Sequence, residues 1–209
     1  MPERKTHSTE KDLLLEAVYE LAETTEYDAA HCQQVTRIAL DIFDQLKPLH
    51  QLSTKDRKHL QYASILHDIG WIEGWKGHHK TTLQIILNTK LLPLSSKERL
   101  IIGSIARYHR GNLPSNDHDH YKALTKHEKE KVRILSSILR IADGMDHSHR
   151  KNLKNIFVNI TPKKIIMKCI TKNDVLEDQQ TTQEKSDLFK QVFSDRSLVI
   201  LWKTETDSQ

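Results

Sequence analysis

The sequence predicts a mainly α protein: a helical bundle over residues 1–150, with a small β-β-α-β unit over residues 151–209 packed on it. Three observations predict it. Apolar residues recur at the i, i+3, i+4, i+7 spacing of a helix in six successive segments before residue 150. Three of those segments open with a Ser or Thr followed three positions later by an acid, the signature of a capping box. After His149 the apolar period drops to two, as in strands.

Composition bounds the function. A chain of 209 residues makes one domain, or one with a small appendage, and holds a real core. Its net charge of +4 permits an anionic substrate but gives no strong nucleic-acid signal, because no run concentrates the lysines and arginines. Cys32 and Cys169 lie far apart, which argues against a disulfide scaffold and for a reducing, cytoplasmic setting. No signal peptide and no apolar run of membrane-spanning length is expected. The oddity is thirteen histidines, several of them placed just before apolar helical patterns.

The elements follow in order. Residues 1–8 are polar and expected to be loose; from Thr9, Leu14, Ala17, Val18 and Leu21 make the first stripe, which ends before Thr24 to Asp28. The second carries Val35, Ile38, Ala39, Ile42, Phe43 and Leu46 and is expected to stop at Lys47-Pro48. One turn backward, its stripe reaches His31, so that imidazole points inward. Ser53 to Asp56 opens the third helix, where Leu60, Ala63, Ser64 and His67 share the core-facing stripe. Asp68 follows at once, and Gly70 is expected to end the helix as a left-handed residue. A short loop over 70–77 with three glycines and two tryptophans leads to His78-His79-Lys80, and Leu83, Ile86 and Leu87 continue as helix.

Ser95 to Glu98 caps the fifth helix, whose stripe of Ile101, Ile105 and Tyr108 runs to His109-Arg110-Gly111. Residues 111–124 read as a polar loop containing His118 and His120. Thr125 to Glu128 caps the sixth, with Val132, Leu135, Leu139 and Ala142 inward. Asp143 falls on the same inward face, and a bare buried charge is costly enough that it needs a partner. Ile156, Val158 and Ile160, then Ile165, Met167 and Cys169, alternate across Thr161-Pro162 as a hairpin. Leu188, Phe189, Val192 and Phe193 form one helix, Ser197 to Trp202 a last strand, and the tail after Lys203 is expected to be disordered.

The inward polar groups are His31, the adjacent pair His67 and Asp68, and Asp143, in the order H…HD…D. Imidazoles mixed with carboxylates suit Mn, Fe, Co, Ni or Zn, with Mg possible. These residues have recognisable neighbours: His31 to Val35 with Ala39 and Phe43, Ala63 to Gly70, His78 to Lys80, Ala106 to Arg110, and Ile138 to Asp143 with Asp146 to His149. Together they resemble the HD superfamily of metal-dependent phosphohydrolases, and within it the C-terminal HD domain of exopolyphosphatase/guanosine pentaphosphate phosphatase (Ppx/GppA) proteins. The resemblance spans about residues 10–200, including the Lys185 to Phe193 stretch.

The resemblance implies an HD-type helical bundle with His31, His67, Asp68 and Asp143 as ligands of one divalent cation. A second ion fits if His78 or His79, and His109, also bind; the distance to the Leu83-Ile86 stripe favours His78. Asp68 would then bridge the pair, which makes Asp68 and His109 the residues nearest the chemistry, although His109 can equally serve by bonding substrate phosphate. Lys80, Arg110 and Arg140 are candidates for phosphate contact or for solvated surface. Asp146 reads as an orienting or backup acid. His147, His149, His118 and His120 either line the mouth or lie on flexible surface, and Trp71 and Trp75 either stack a nucleobase or pack.

Two departures limit the transfer. The family's N-terminal actin-like domains, which carry the exopolyphosphatase site, have no counterpart among these residues, so polyphosphate hydrolysis is not carried over. Related sequences tend to read His-His-Lys-His-Ser where this one has His78-His79-Lys80-Thr81-Thr82, which removes one polar contact. The expectation is a cytoplasmic phosphohydrolase that uses a metal-activated water on a phosphate ester or anhydride of a nucleotide or similar small anion. The alternative is a non-catalytic module that binds (p)ppGpp, another nucleotide or polyphosphate and acts through a partner. The C-terminal unit is expected to cover the bundle or to form a homodimer surface.

Overall fold

The sequence calls for three helices that begin with capping boxes, and those three frame the molecule. A computed structural model describes residues 9–205, so the expectations for residues 1–8 and for 206–209 lie outside the described residues. The bundle comprises α1 (Thr9–Glu23), α2 (Ala29–Gln45), α3 (Lys47–His50), α4 (Thr54–Leu66), α5 (His78–Asn88), α6 (Ser96–Arg107), α7 (Asp119–Lys122) and α8 (Lys126–Gly144). A 3-10 turn, Ile69–Glu73, joins α4 to α5.

Ser53 with Asp56, Ser95 with Glu98 and Thr125 with Glu128 all form reciprocal caps, at the starts of α4, α6 and α8. The three capping acids are also cross-linked. Lys55 lies 2.8 Å from Glu98, Lys97 2.9 Å from Glu128, and Lys131 2.9 Å from Asp56, closing a ring around the three N-termini. The opposite ends of the same helices deliver His67, His109 and Asp143.

The second unit consists of β1 (Leu153–Ile160), β2 (Lys164–Thr171), α9 (Leu176–Lys185), α10 (Asp187–Val192) and β3 (Ser197–Thr204). β1 and β2 pair antiparallel and β3 lies parallel to β2, in the order β1-β2-β3, with Met167 facing Val158 on one side and Ile200 on the other. A parallel pair needs a crossover, which α9 and α10 supply. Ile165, Met167 and Cys169 turn one face of the sheet inward, where they join Phe189 and the bundle's Ile38, Ile42, Leu139 and Ile141 in one apolar cluster. The fold is mainly α with a small β appendage, and its core is continuous across residue 150. No helix among the described residues is long and apolar enough to cross a membrane.

Several local expectations are corrected. The second helix does end before Lys47-Pro48, at Gln45, but a short helix the sequence did not suggest follows, with Pro48 in the first turn of α3, where its missing N–H costs nothing. Gly70 is not left-handed. It is glycine for space, since a Cβ there would stand 2.0 Å from the His78 carbonyl oxygen and 2.6 Å from the Thr82 nitrogen. The 111–124 stretch contains α7 and buries Tyr121 and Leu124. The single helix expected before the last strand is two, α9 preceding α10. Finally, Thr204 belongs to β3 and Glu205 pairs with Lys154, so order extends past Lys203.

Candidate metal centre

Helix ends place four histidines and two aspartates around one point, and all six are buried. His31 opens α2, His67 and Asp68 close α4, His78 opens α5, His109 follows α6, and Asp143 lies in the last turn of α8. Each imidazole is held from behind through Nδ1. His67 donates to the Ser64 carbonyl at 2.7 Å, His109 to Ala106 at 2.7 Å and His78 to Trp75 at 3.0 Å. His31 bonds the Asp146 carboxylate at 3.0 Å. Asp146 is itself fixed by the Lys151 N–H, as expected of an orienting acid.

With Nδ1 donating, each ring in its neutral form turns its Nε2 lone pair to the centre. His31 and His67 Nε2 are buried with no hydrogen-bond partner. His78 and His109 Nε2 face each other at 3.2 Å, a contact that repels unless a proton or cation stands between them. Asp68 sits amid all four. Its Oδ1 lies 3.2 Å from His78 Nε2 and 3.4 Å from His109 Nε2, and its Oδ2 lies 3.5 Å from His67 Nε2 and 3.9 Å from His31 Nε2. Asp143 Oδ1 is 3.4 Å from His31 Nε2 and 3.8 Å from His67 Nε2. The donors sort into two trios, His31/His67/Asp143 and Asp68/His78/His109, with ligand atoms within 4.8 Å of one another in each. This donor set, with two orphaned nitrogens aimed inward, fits a divalent transition ion.

The charges are arranged to match. Burial works against ionised Asp68, but His67, His78 and His109 outweigh it and hold the carboxyl well below the usual range. Burial likewise opposes ionised Asp143, and Lys185 with His31 reverses it. Burial lowers the pKa of both His67 and His109, favouring the neutral ring that a ligand requires. His31 differs: burial lowers it, yet the Asp143 and Asp146 carboxylates carry it up to about 10.

A cavity of about 210 Å³ opens over the centre. Arg110, Trp71, Trp75, His147 and His149 line it, with Thr181, Glu184 and Lys185 of α9. Arg110 lies over the Trp75 ring at 4.4 Å, and His149 stacks on His31 at 3.8 Å while bonding Asp28 at 2.8 Å. The chain matches the family model described as Ppx/GppA phosphatase, domain III, over residues 15–190. The chain belongs to that family. No curated protein matches the chain significantly. Membership in the Ppx/GppA domain III family carries a phosphatase-type function at the coarse level, and the two trios are its candidate metal ligands.

Not every residue singled out from the sequence reaches this domain III cavity. His79 joins neither trio. Lys80 is exposed and does not line the cavity. Arg140 is committed elsewhere: Nε and Nη2 grip Asp187 of α10 at 3.0 and 2.9 Å, and Nη1 bonds the Tyr108 and Gly111 carbonyls at 3.1 and 3.3 Å. It holds the turn that carries His109 and offers nothing to a phosphate. His118 bonds the Tyr108 hydroxyl at 2.8 Å and stacks on His120, away from the cavity. Sequence reasoning missed Lys185 as a site residue, although its ammonium pairs with Asp143 Oδ2 at the centre.

Proposed function

We propose that this domain is a metal-dependent phosphohydrolase acting on a phosphate ester or anhydride of a nucleotide or similar small anion. The observation that carries the reading is Asp68: a buried carboxylate with one oxygen toward each histidine pair, whose Nε2 atoms point back at it. His31, His67, Asp68 and Asp143 would hold one divalent ion, and Asp68, His78 and His109 a second beside it. Such ions lower the pKa of a bound water and neutralise phosphoryl charge. The protein's own groups do the rest. Lys185 and Arg110, which both line the cavity, would present cationic donors to phosphoryl oxygens. Asp146 fixes the His31 ring, and the Ser64 and Ala106 carbonyls keep His67 and His109 in the tautomer whose Nε2 is free. Trp71 and Trp75, 41% and 54% exposed at the rim, offer a stacking surface for a base.

A second reading is a non-catalytic module that binds a nucleotide, including (p)ppGpp, or polyphosphate and acts through a partner. The Lys185–Asp143 pair favours it, because an ammonium there competes with a metal for the carboxylate. Metal analysis of purified protein, followed by Mn²⁺-dependent phosphate release across a nucleotide panel, decides between them. Asp68→Ala should lose bound metal and turnover together while circular dichroism keeps its helical signal. Turnover retained in that variant rejects the assignment of the chemistry to Asp68 and its two trios, and no turnover in wild type with any nucleotide tested rejects the hydrolase reading.

A further inference from the structure

Outside the metal centre, the polar group hardest to account for is Arg107, in the last turn of α6. It is 4% exposed and its Nη1 is buried without a hydrogen-bond partner. No described carboxylate forms an ion pair with it, and its compensation within the protein is the face of the Tyr108 ring, 5.6 Å away. A guanidinium keeps its charge at any ordinary pH, so leaving it buried and unmatched is expensive. Two neighbours share the deficit. His79 Nδ1 and His120 Nε2 are also buried without partners, and both rings feel Arg107 more strongly than any other charge. Asp119 is the acid that favours a charged His120, against the larger opposing effects of burial and Arg107. The Arg107 guanidinium and the His120 ring stand 5.6 and 5.4 Å from the same Tyr108 ring, and His79 Nε2 lies against Gly111, so donors from three segments gather around the 107–111 turn with no carboxylate paired to Arg107 among the described residues.

We propose that Arg107, His79 and His120 form an oxyanion site that takes a phosphoryl group, separate from the two metal trios. A guanidinium fork matches two oxygens of a tetrahedral anion, and each imidazole, even neutral, adds one N–H. The site lies beside the centre, since the His79 ring stands 6.3 Å from the His109 ring. Its occupant is therefore either free phosphate or a further phosphoryl group of a molecule held in the cavity. The inference does not depend on hydrolysis, because the orphaned atoms and the missing counter-charge exist whichever reading of the metal centre holds.

Calorimetric titration of inorganic phosphate into chelator-stripped protein tests it. Because the protein is stripped of metal in this titration, its outcome is distinguishable from any failure of the metal reading. Arg107→Met should weaken binding roughly tenfold or more, and the half-buried His120→Gln and His79→Gln by smaller factors. Phosphate should also raise the melting temperature of wild type and of His120→Gln but not of Arg107→Met, a readout that survives any change in the variant's own stability. Phosphate affinity unchanged in both Arg107→Met and His120→Gln overturns the site. A second arm repeats the titration with Mn²⁺ and pyrophosphate. A larger Arg107→Met loss for pyrophosphate than for phosphate assigns the site to a substrate's second phosphoryl group, and equal losses assign it to free phosphate.

Discussion

Four imidazoles here share one arrangement, with Nδ1 anchored and Nε2 turned inward, and in three of them the anchor is the carbonyl three residues upstream. Two of these lie at helix C-termini, where carbonyls lack intrahelical partners, so one bond both caps the helix and fixes the ring. His31 has no such carbonyl and uses Asp146, 115 positions away. Asp146→Asn should therefore weaken metal binding by about 10- to 100-fold with little change in fold, as read by competition with a metal indicator. Unchanged affinity would show that Asp146 serves only the Lys151 turn. The His67-Asp68 corner was legible because adjacent residues at a helix end need no tertiary information to converge. Choosing between His78 and His79 was harder, because neighbours on a helix point about 100° apart and the loop at 70–77 sets which one faces Asp68. The task of Arg140 was illegible, since Asp187 and the 108–111 carbonyls that engage it come from other segments.

Among the elements, α4, α6 and α8 are joined at their N-termini by the ring of capping acids and lysines. Bonds from Lys55 and Ser95 hold Glu98 at about 2, and bonds from Lys97 and Thr125 hold Glu128 at about 2. At Asp56 burial opposes ionisation, but Ser53 and Lys131 still bring its carboxyl below the ordinary value. Because these folded-state values lie below the unfolded ones, the ring's stabilisation is complete above about pH 4.5 and is lost as pH falls toward 2. Urea midpoints should drop between pH 6 and pH 3, and Glu98→Gln should flatten that drop. The effect should be small and should shrink in high salt, because the lysines of the Glu98 and Glu128 pairs are well exposed; only Asp56 is buried. A midpoint independent of pH in this range would mean that the ring is fully screened.

The 3-10 turn and α5 touch backbone to backbone at Gly70, where Thr82 Oγ1 accepts from the Gly70 N–H and donates to the His67 carbonyl, both at 3.0 Å. Gly70→Ala forces a methyl into that contact. It should cost about 1–3 kcal/mol in chemical denaturation and also displace His78, lowering metal occupancy. Capping boxes were readable as three-residue patterns. By contrast, α9 was not, because its buried face is polar: Asp178 accepts from the Ser148 N–H at 2.7 Å, and Thr182 packs against Gly144, where a Cβ would meet Thr182 Cα at 2.9 Å. A search for apolar periodicity cannot see a helix that docks by hydrogen bonds and close backbone approach, and Lys185 was overlooked for that reason.

Over the whole molecule, the bundle and the sheet share one core, with Leu153, Ile156, Ile165, Met167 and Phe189 packed among bundle residues. A chain cut after residue 150 loses that covering and bares the inward faces of α2 and α8. It should melt without a cooperative transition, by near-ultraviolet circular dichroism, and should not retain metal. A sharp melt in the truncated chain would show instead that the bundle folds alone. The change of period at residue 149 made the two units visible in the sequence; their shared interior was not, since periodicity tells which face is apolar but not what it meets.

The wide spacing of His31, His67 and Asp143 also bears on biosynthesis. While the ribosome is still making α8, the nascent chain holds two corners of the first trio and lacks the third, and its Asp146 brace does not yet exist. An ion held by the first trio would thus be captured only after α8 has left the exit tunnel and docked, whereas the Asp68/His78/His109 trio is complete before α8 is made, so occupancy of the first trio alone would report on completed chains.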